Sequence, residues 1–433
     1  MRRLTFELEF ITPAFIGNAQ QQAELRPASF VGLLRWWWRA LKGLDDTKKL
    51  YEEEAKIFGG YLKNGAVAGK VNIRLVGDIK PVDVPLKGKY KLSWSYNTNE
   101  RRLSGPDAGI GYLLYSVNLP NKERKFIDAG SRFKLILLGE EEYLKHAVAS
   151  LWALVYLGGV GARSRRGGGN LDFVKVEPNI DWLSFEPEEK LGKWLSENLK
   201  KAIDLVDGGK DFCAEYSNLS FSRIIISNQE FNSWREALNS VGKEFMDFRH
   251  SNKRKVFEMS AFGLPIRHSN NQFVKSTISQ RRASPLIIKL LRVKEKYRWI
   301  MLRLSGKFLP EGEFVEFGRQ KQSVDYSLLE EFRLHLVKNK IARSLKLTQP
   351  ESLNVLIQRI VSEFNPKRVI LFGPHARGDA TRSSEIHIGV DADKPINKEA
   401  FGSKIELVDL KTVNQDLREK ISKEGVLLYE KQA

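Results

Sequence analysis

The sequence predicts an α+β chain: two related units followed by a smaller α/β module. Three observations carry this. The 433 residues exceed what one hydrophobic core usually serves, so two or three domains are expected. Over the first 180 residues the elements run strand, helix, strands, helix, strand, which is the order of a ferredoxin-like (RRM-like) unit with insertions. The third is a change of charge. Residues 351–433 hold 13 basic and 13 acidic residues, so the whole net charge of +18 lies in the first 350.

The first element is a strand over 3–11, where Leu4, Phe6, Leu8 and Phe10 alternate with Arg3, Thr5, Glu7 and Glu9. A turn with Pro13 and Gly17 leads through the polar stretch NAQQQAE to FVGLLRWWWRALKG, a helix with Ser29 as N-cap and Gly43 as its stop. AGKVNIRLVGD, YKLSWSYN and SRFKLILLG read as further strands, and EEEYLKHAVASLWALVYLGG as a helix with acidic residues in its first turn. It delivers the chain to GGVGARSRRGGGN, after which LDFVKVE returns as a strand. The first domain is therefore placed at 1–180, with a glycine-arginine loop. A second, 215–347, starts at the strand FSRIIIS and continues through the helix EFNSWREALNSVGKEFMDFR and the strand pair ASPLIIKLLRVK and YRWIMLRLSGKF. The similar order suggests a degenerate repeat. A helix over about 326–347 would connect it to the module at 351–433.

The first 350 residues hold 58 Lys and Arg against 40 Asp and Glu, which favours a polyanionic partner, since the charge sits on folded surface and not in a tail. No apolar run is long enough to span a membrane and the N-terminus lacks a signal-peptide centre. The single cysteine, Cys213, excludes an internal disulfide and any multi-cysteine metal site. A cytoplasmic protein with no membrane partner and no cofactor is expected.

The tryptophan triplet resolves on a helical wheel at about 100° per residue. Leu34, Trp37, Trp38 and Leu41 share one apolar face. Arg35, Arg39 and Lys42 lie along its edge, and Trp36 borders Arg39, apart from the apolar centre. Trp37 and Trp38 are thus core residues. Trp36 is either a stacking surface for a base or a ring buried under a loop. Arg35 and Arg39, four apart, suit neighbouring phosphates or pair with carboxylates such as Glu24. The loop 158–170 has six glycines and three arginines, a composition that lets backbone N–H groups converge on an anion. It follows a helix and lacks a lysine followed by Ser or Thr, so it is no NTP-hydrolysing loop.

Together, ITPAFIGN, ELRPASFVGLLRWWWRAL, the glycine-arginine loop, FGLPI and RRASPLIIK…LSGKFLP resemble the RAMP superfamily. More closely, they resemble subunit one of the type III-B CRISPR effector, the Cmr complex. The resemblance spans about 1–345. It implies tandem ferredoxin-like domains whose glycine-rich loops contact RNA in a complex with other Cmr subunits. It further implies that guide RNA is met toward its 3′ part, with target RNA as a second candidate partner. By it, Arg26, Arg35, Trp36, Arg39, Gly161, Arg163, Arg165 and Arg166 would face RNA, with Arg281 and Arg282 as candidates from the second domain. Some RAMP proteins cut RNA with a histidine base. Here the six histidines are scattered; His146 lies in an apolar helix, and only His268 adjoins a basic cluster, so no catalytic residue is assigned.

FNPKRVILFGPHARGDATRSSEIHIGV and the closing IELVDLKTVNQDLREKISKEGVLLYE resemble the minimal nucleotidyltransferases of the DNA polymerase beta superfamily. That family holds two metal ions on carboxylates. Here Gly373 is followed by Pro374 where a phosphate-binding serine is usual, Glu385 and His387 replace paired aspartates, and Glu406 stands near the third carboxylate. An imidazole is a poor ligand for Mg²⁺, so the site reads as degenerate, with no metal. The expectation is a non-catalytic RNA-binding subunit. The alternative is a nucleotidyltransferase that uses residues 351–433 with the basic body as its RNA platform.

Overall fold

The computed structural model describes all residues except 19, 21, 78, 80, 120–122, 269–271, 280, 346, 348, 379, 382, 397–400 and 432–433. Strand β1 (Arg2–Phe10) buries Leu4, Phe6, Leu8 and Phe10 completely, as its alternation requires. It is followed by helices α1 (Pro27–Lys42) and α2 (Thr47–Phe58), strands β2 (Asn72–Val76) and β3 (Arg132–Gly139), helix α3 (Glu141–Leu157) and strand β4 (Leu171–Glu177). The antiparallel sheet is ordered β4-β1-β3-β2, with Phe6 facing Val176 on one side and Leu135 on the other.

After α4 (Leu191–Leu205), the second unit has strand β5 (Asn218–Ser227), helix α5 (Trp234–Ser251), strands β6 (Leu286–Val293) and β7 (Lys296–Ser305), helix α6 (Ser327–Lys338) and strand β8 (Ala342–Ser344). Its sheet runs β6-β7-β5-β8. Counted along the chain, both sheets have the order fourth, first, third, second. In each, a long helix (α1 or α5) lies between the first and second strands and another (α3 or α6) between the third and fourth; the first unit adds α2.

The units are not separate globules. Ile224 and Ile226 of β5, with Ile300 and Leu302 of β7, belong to the same core as Trp37, Trp38 and Trp152. The alternate residues Ile225, Trp299 and Met301 pack on the other face with Val241, Phe245 and Phe332 from α5 and α6. The second sheet is therefore covered on both faces. Helix α3, buried without interruption from Ala147 to Leu157, lies centrally, as a helix apolar on all sides must.

Three sequence expectations are corrected. Helix α1 starts at Pro27, with Arg26 as N-cap, because proline fixes the first helical φ and its missing N–H is one that the first turn would leave unpaired anyway. Residues 90–97 are mostly not strand: a turn leads to Ser95–Asn97, half of a short hairpin with Arg102–Ser104. The connector expected as one helix over 326–347 stops at Lys338, and β8 then pairs with β5 through Ile226 and Arg343.

The last module has helix α7 (Glu351–Phe364), strand β9 (Arg368–Phe372), the short helix α8 (Gly373–Arg377), strands β10 (Ile386–Asp391) and β11 (Ile405–Asp409), helix α9 (Gln415–Glu424) and strand β12 (Val426–Glu430). Its sheet runs β11-β10-β9-β12, with only β10 and β11 parallel. It is anchored on the body: Phe212 and Phe221 pack on its core, Phe212 meets His375 edge-on at 4.6 Å, and Arg223 donates to the Ala376 carbonyl.

Candidate nucleic-acid interface

The three arginines of the glycine-arginine loop have three different environments. Arg166 is 7% exposed and donates through Nη1 to the Leu286 carbonyl at 2.7 Å and through Nη2 to the Phe262 carbonyl at 2.8 Å. Burial drives its pKa well down. It braces the loop against the second unit, and the sequence expectation that it faces RNA is corrected. Arg163 is half-buried, donates to the Leu113 carbonyl at 2.6 Å and lies 4.9 Å from the Tyr115 ring. Arg165 donates to the Ser284 carbonyl and lies over the Trp36 ring at 5.1 Å. Burial brings its pKa down to about 10, which still leaves it charged at neutral pH.

Part of the loop's backbone is already committed to protein. The N–H groups of Val160, Ala162, Arg166, Gly168 and Gly169 all bond to backbone carbonyls nearby. Its glycines serve close packing: a Cβ on Gly169 would lie 2.0 Å from the Val160 carbonyl oxygen, and one on Gly167 2.3 Å from Leu238. Gly161 is exposed, and a Cβ there would lie 2.6 Å from the Phe15 carbonyl oxygen. Asn170 completes the seam: its side-chain oxygen accepts from the Leu290 N–H at 2.8 Å.

On α1, Trp37 and Trp38 are buried as the helical wheel predicts, and Trp38 donates to Nδ1 of the half-buried His146 at 3.2 Å. Arg35 is committed to protein: Nε meets Glu54 Oε1 at 2.5 Å and Nη1 donates to the Gly59 carbonyl at 2.9 Å. Arg39 reaches the other oxygen of Glu54 at 3.3 Å and stays 40% exposed. Glu54 itself is 1% exposed. The sequence reading overlooked it, although the apolar spacing of α2 and its Asp46 cap, which accepts from the N–H groups of Lys48 and Lys49, were visible signals.

These side chains line a cleft of about 590 Å³ between the two units. From the first come Trp36, Arg39, Tyr51, Glu54 and Arg165; from the second, Glu215, Tyr216, Arg282, Lys307 and Phe308. Four cations thus face two carboxylates. Lys307 lies 3.5 Å from Glu215 and Arg39 contacts Glu54, which leaves Arg165 and Arg282 as cations without a carboxylate partner among the described ion pairs. The Nε of Arg282 is buried with no hydrogen-bond partner among the described residues, while its backbone is fixed by a reciprocal pair of bonds with Leu264. Three rings are held in place. Tyr216 donates its hydroxyl to the carbonyls of Arg39 and Leu44. Tyr51 donates to the Tyr61 carbonyl and accepts from its N–H. Trp36 stands perpendicular to Trp37 at 4.7 Å.

The remaining expected residues lie elsewhere. Arg26 and Arg281 are exposed outside the lining of the cleft, and His268 packs against Phe317. In the last module Glu385, His387 and Glu406 do converge, their ligand atoms lying within 4.8 Å of one another, because parallel pairing sets His387 opposite Glu406. Gly373 packs against the His387 ring, and Pro374 opens α8. Two Mg²⁺ ions require oxygen ligands in near-octahedral order. An imidazole among three donors, beside a proline that offers no hydroxyl, does not fit that pair.

Residues 7–172 match the model of the RAMP superfamily. The chain is 30% identical over 346 residues to the CRISPR system Cmr subunit Cmr1-1 of Pyrococcus furiosus, covering 76% of this chain and 93% of that protein. It is 32% identical over 187 residues to Cmr1-2 of the same organism, covering 40% of this chain and 95% of that one. Its fold resembles the crystal structure of Cmr1 from Pyrococcus furiosus in the apo form, with a TM-score of 0.57 at 24% identity over 80% of this chain and 99% of that one. Among the described residues no helix is long and apolar enough to cross a membrane.

Proposed function

The chain belongs to the Cmr1 family of the RAMP superfamily, and from that premise we propose that it is a non-catalytic, RNA-binding subunit of a type III-B (Cmr) CRISPR effector complex in antiviral defence. The reading treats the two repeated sheets as tandem ferredoxin-like domains, with guide RNA met toward its 3′ part and target RNA as a second partner. The observation that carries it is the cleft, where aromatic rings face the same space as Arg165 and Arg282, neither of which forms an ion pair among the described residues. Single-stranded RNA is held by such a combination: phosphates on guanidinium groups, bases on rings. Residues 351–433 then act as a degenerate nucleotidyltransferase-like module docked through α8.

The test is fluorescence anisotropy of a labelled single-stranded RNA at several salt concentrations. Each phosphate neutralised contributes about −0.7 to the slope of log K against log salt. Replacing Arg165 and Arg282 with alanine should therefore reduce the slope by about 1.4. Salt-insensitive binding refutes the proposal. The convergence of Glu385, His387 and Glu406 favours one other reading, nucleotidyl transfer. Transfer of label from an NTP in Mg²⁺ or Mn²⁺, abolished by Glu385→Gln, would establish that reading instead.

A further inference from the structure

We propose that the cleft is a receptor for one unstacked nucleotide of the bound RNA, with its phosphate on Arg165 and Arg282 and its base among Trp36, Tyr51 and Tyr216. This rests on the RNA-binding reading and says which unit of RNA the site takes. The shape is the first argument. A volume of about 590 Å³ is that of a small-ligand pocket, where 300–1,000 Å³ is usual; a groove that tracks several stacked nucleotides would be longer.

The chemistry is divided along the cleft. Arg165 and Arg282 lie together, since Arg165 donates to Ser284, two residues beyond Arg282. From α2 the lining also includes Glu54, already bound to Arg35 and Arg39. Arg39 would have to share a phosphate with Glu54, whereas Arg165 and Arg282 have no ion pair to break among the described residues, so the phosphate of a nucleotide is best placed on those two. Arg282 lines the cleft, and its guanidinium can offer a phosphate two parallel N–H donors.

The rings suit a base and not a chain of phosphates. Tyr51 is 40% exposed although its hydroxyl is held by both backbone groups of Tyr61; what it offers the cleft is ring surface. Tyr216 is likewise fixed by its hydroxyl, and Trp36 carries the Arg165 guanidinium on its ring. Rings already immobilised lose little conformational freedom on binding. A base entering here stacks on them, while the cation above Trp36 reaches the adjoining phosphate.

The experiment walks a single abasic site along a labelled single-stranded RNA and measures affinity for the full chain, for Tyr51→Leu and for Trp36→Ala. One position should be expected at which loss of the base weakens wild-type binding on the order of tenfold, the effect of one stacked base. At that position the same loss should cost Tyr51→Leu and Trp36→Ala nothing further. Tyr51→Leu removes no core contact, so it keeps the test valid if Trp36→Ala is poorly folded. Normal salt-dependent RNA binding with no such position overturns the nucleotide receptor and leaves the RNA-binding reading standing. Absence of salt-dependent binding by the wild type overturns both.

Discussion

Replacing Glu54 with glutamine is expected to lower stability and raise RNA affinity at once. Its carboxylate is 1% exposed, with Arg35 Nε at 2.5 Å and Arg39 Nη1 at 3.3 Å. Removing one partner of a fully buried ion pair costs about 3–5 kcal/mol. Arg35 is 24% and Arg39 40% exposed, so water takes over part of their solvation and the expected loss is about 2 kcal/mol. The cleft meanwhile changes from four cations against two carboxylates to four against one. For a phosphate about 8 Å away at an effective dielectric of about 40, deleting a negative charge gains about 1 kcal/mol, roughly fivefold in affinity. Thermal melting and RNA anisotropy, both at low and at physiological salt, read the two effects separately, and the gain should shrink with added salt. A variant that loses stability and RNA affinity together would refute the reasoning, because Glu54 would then act only by holding the fold.

Neighbouring arginines should separate fold from binding. Arg166→Ala leaves the Phe262 and Leu286 carbonyls without their donor and is expected to cost about 3 kcal/mol in urea unfolding, whereas Arg165→Ala, which loses one carbonyl bond and the contact with Trp36, should cost less, about 1 kcal/mol, and reduce the RNA salt slope by about 0.7. Gly169→Ala, at φ +58° and with its Cβ 2.0 Å from the Val160 oxygen, should destabilise by more than about 3 kcal/mol, seen as loss of soluble protein or a strongly lowered urea midpoint. Lys289 is fully buried, donates to the Leu171 carbonyl at 2.8 Å and faces Asp172, which is paired with Arg292. Burial pushes its pKa down to about 7, against the attraction of Asp172. The unfolded chain then binds more protons than the native one from about pH 7 to the ordinary lysine range, so this group makes stability rise with pH there, by at most about 1.4 kcal/mol per unit. Below that window its full cost is present. Lys289→Met should flatten this slope in urea titrations at pH 7 to 9.5, and an unchanged slope would refute the assignment.

Much of the fold was legible because its signals are local. The alternation of Leu4, Phe6, Leu8 and Phe10 specified β1, and the phase of α1 separated Trp37 and Trp38, both buried, from Trp36, which stays half-exposed. The grouping of Glu385, His387 and Glu406 was implied by the resemblance of residues 351–433 to nucleotidyltransferases, and the parallel pair of β10 and β11 brings it about. The start of α1 was misread because a serine near the helix start drew attention from the proline two residues before it.

The sequence by itself determined the periodic elements, the basic body with its neutral C-terminal module, and the presence of cations and rings on α1 and the glycine-arginine loop. Only the tertiary structure decided which of those groups face the cleft. Arg165 and Arg166 are adjacent and chemically identical, yet one lies over Trp36 and the other is sealed behind β6. The chain pairs alongside Ile288 at this point, and neighbouring residues of extended backbone project to opposite sides. Arg35 and Arg39 share a helix edge, but Glu54 from α2 binds Arg35 closely and leaves Arg39 partly exposed. Periodicity is set by bonded neighbours within a few residues. A guanidinium's partner is set by packing between segments up to hundreds of residues apart, and no local pattern records it.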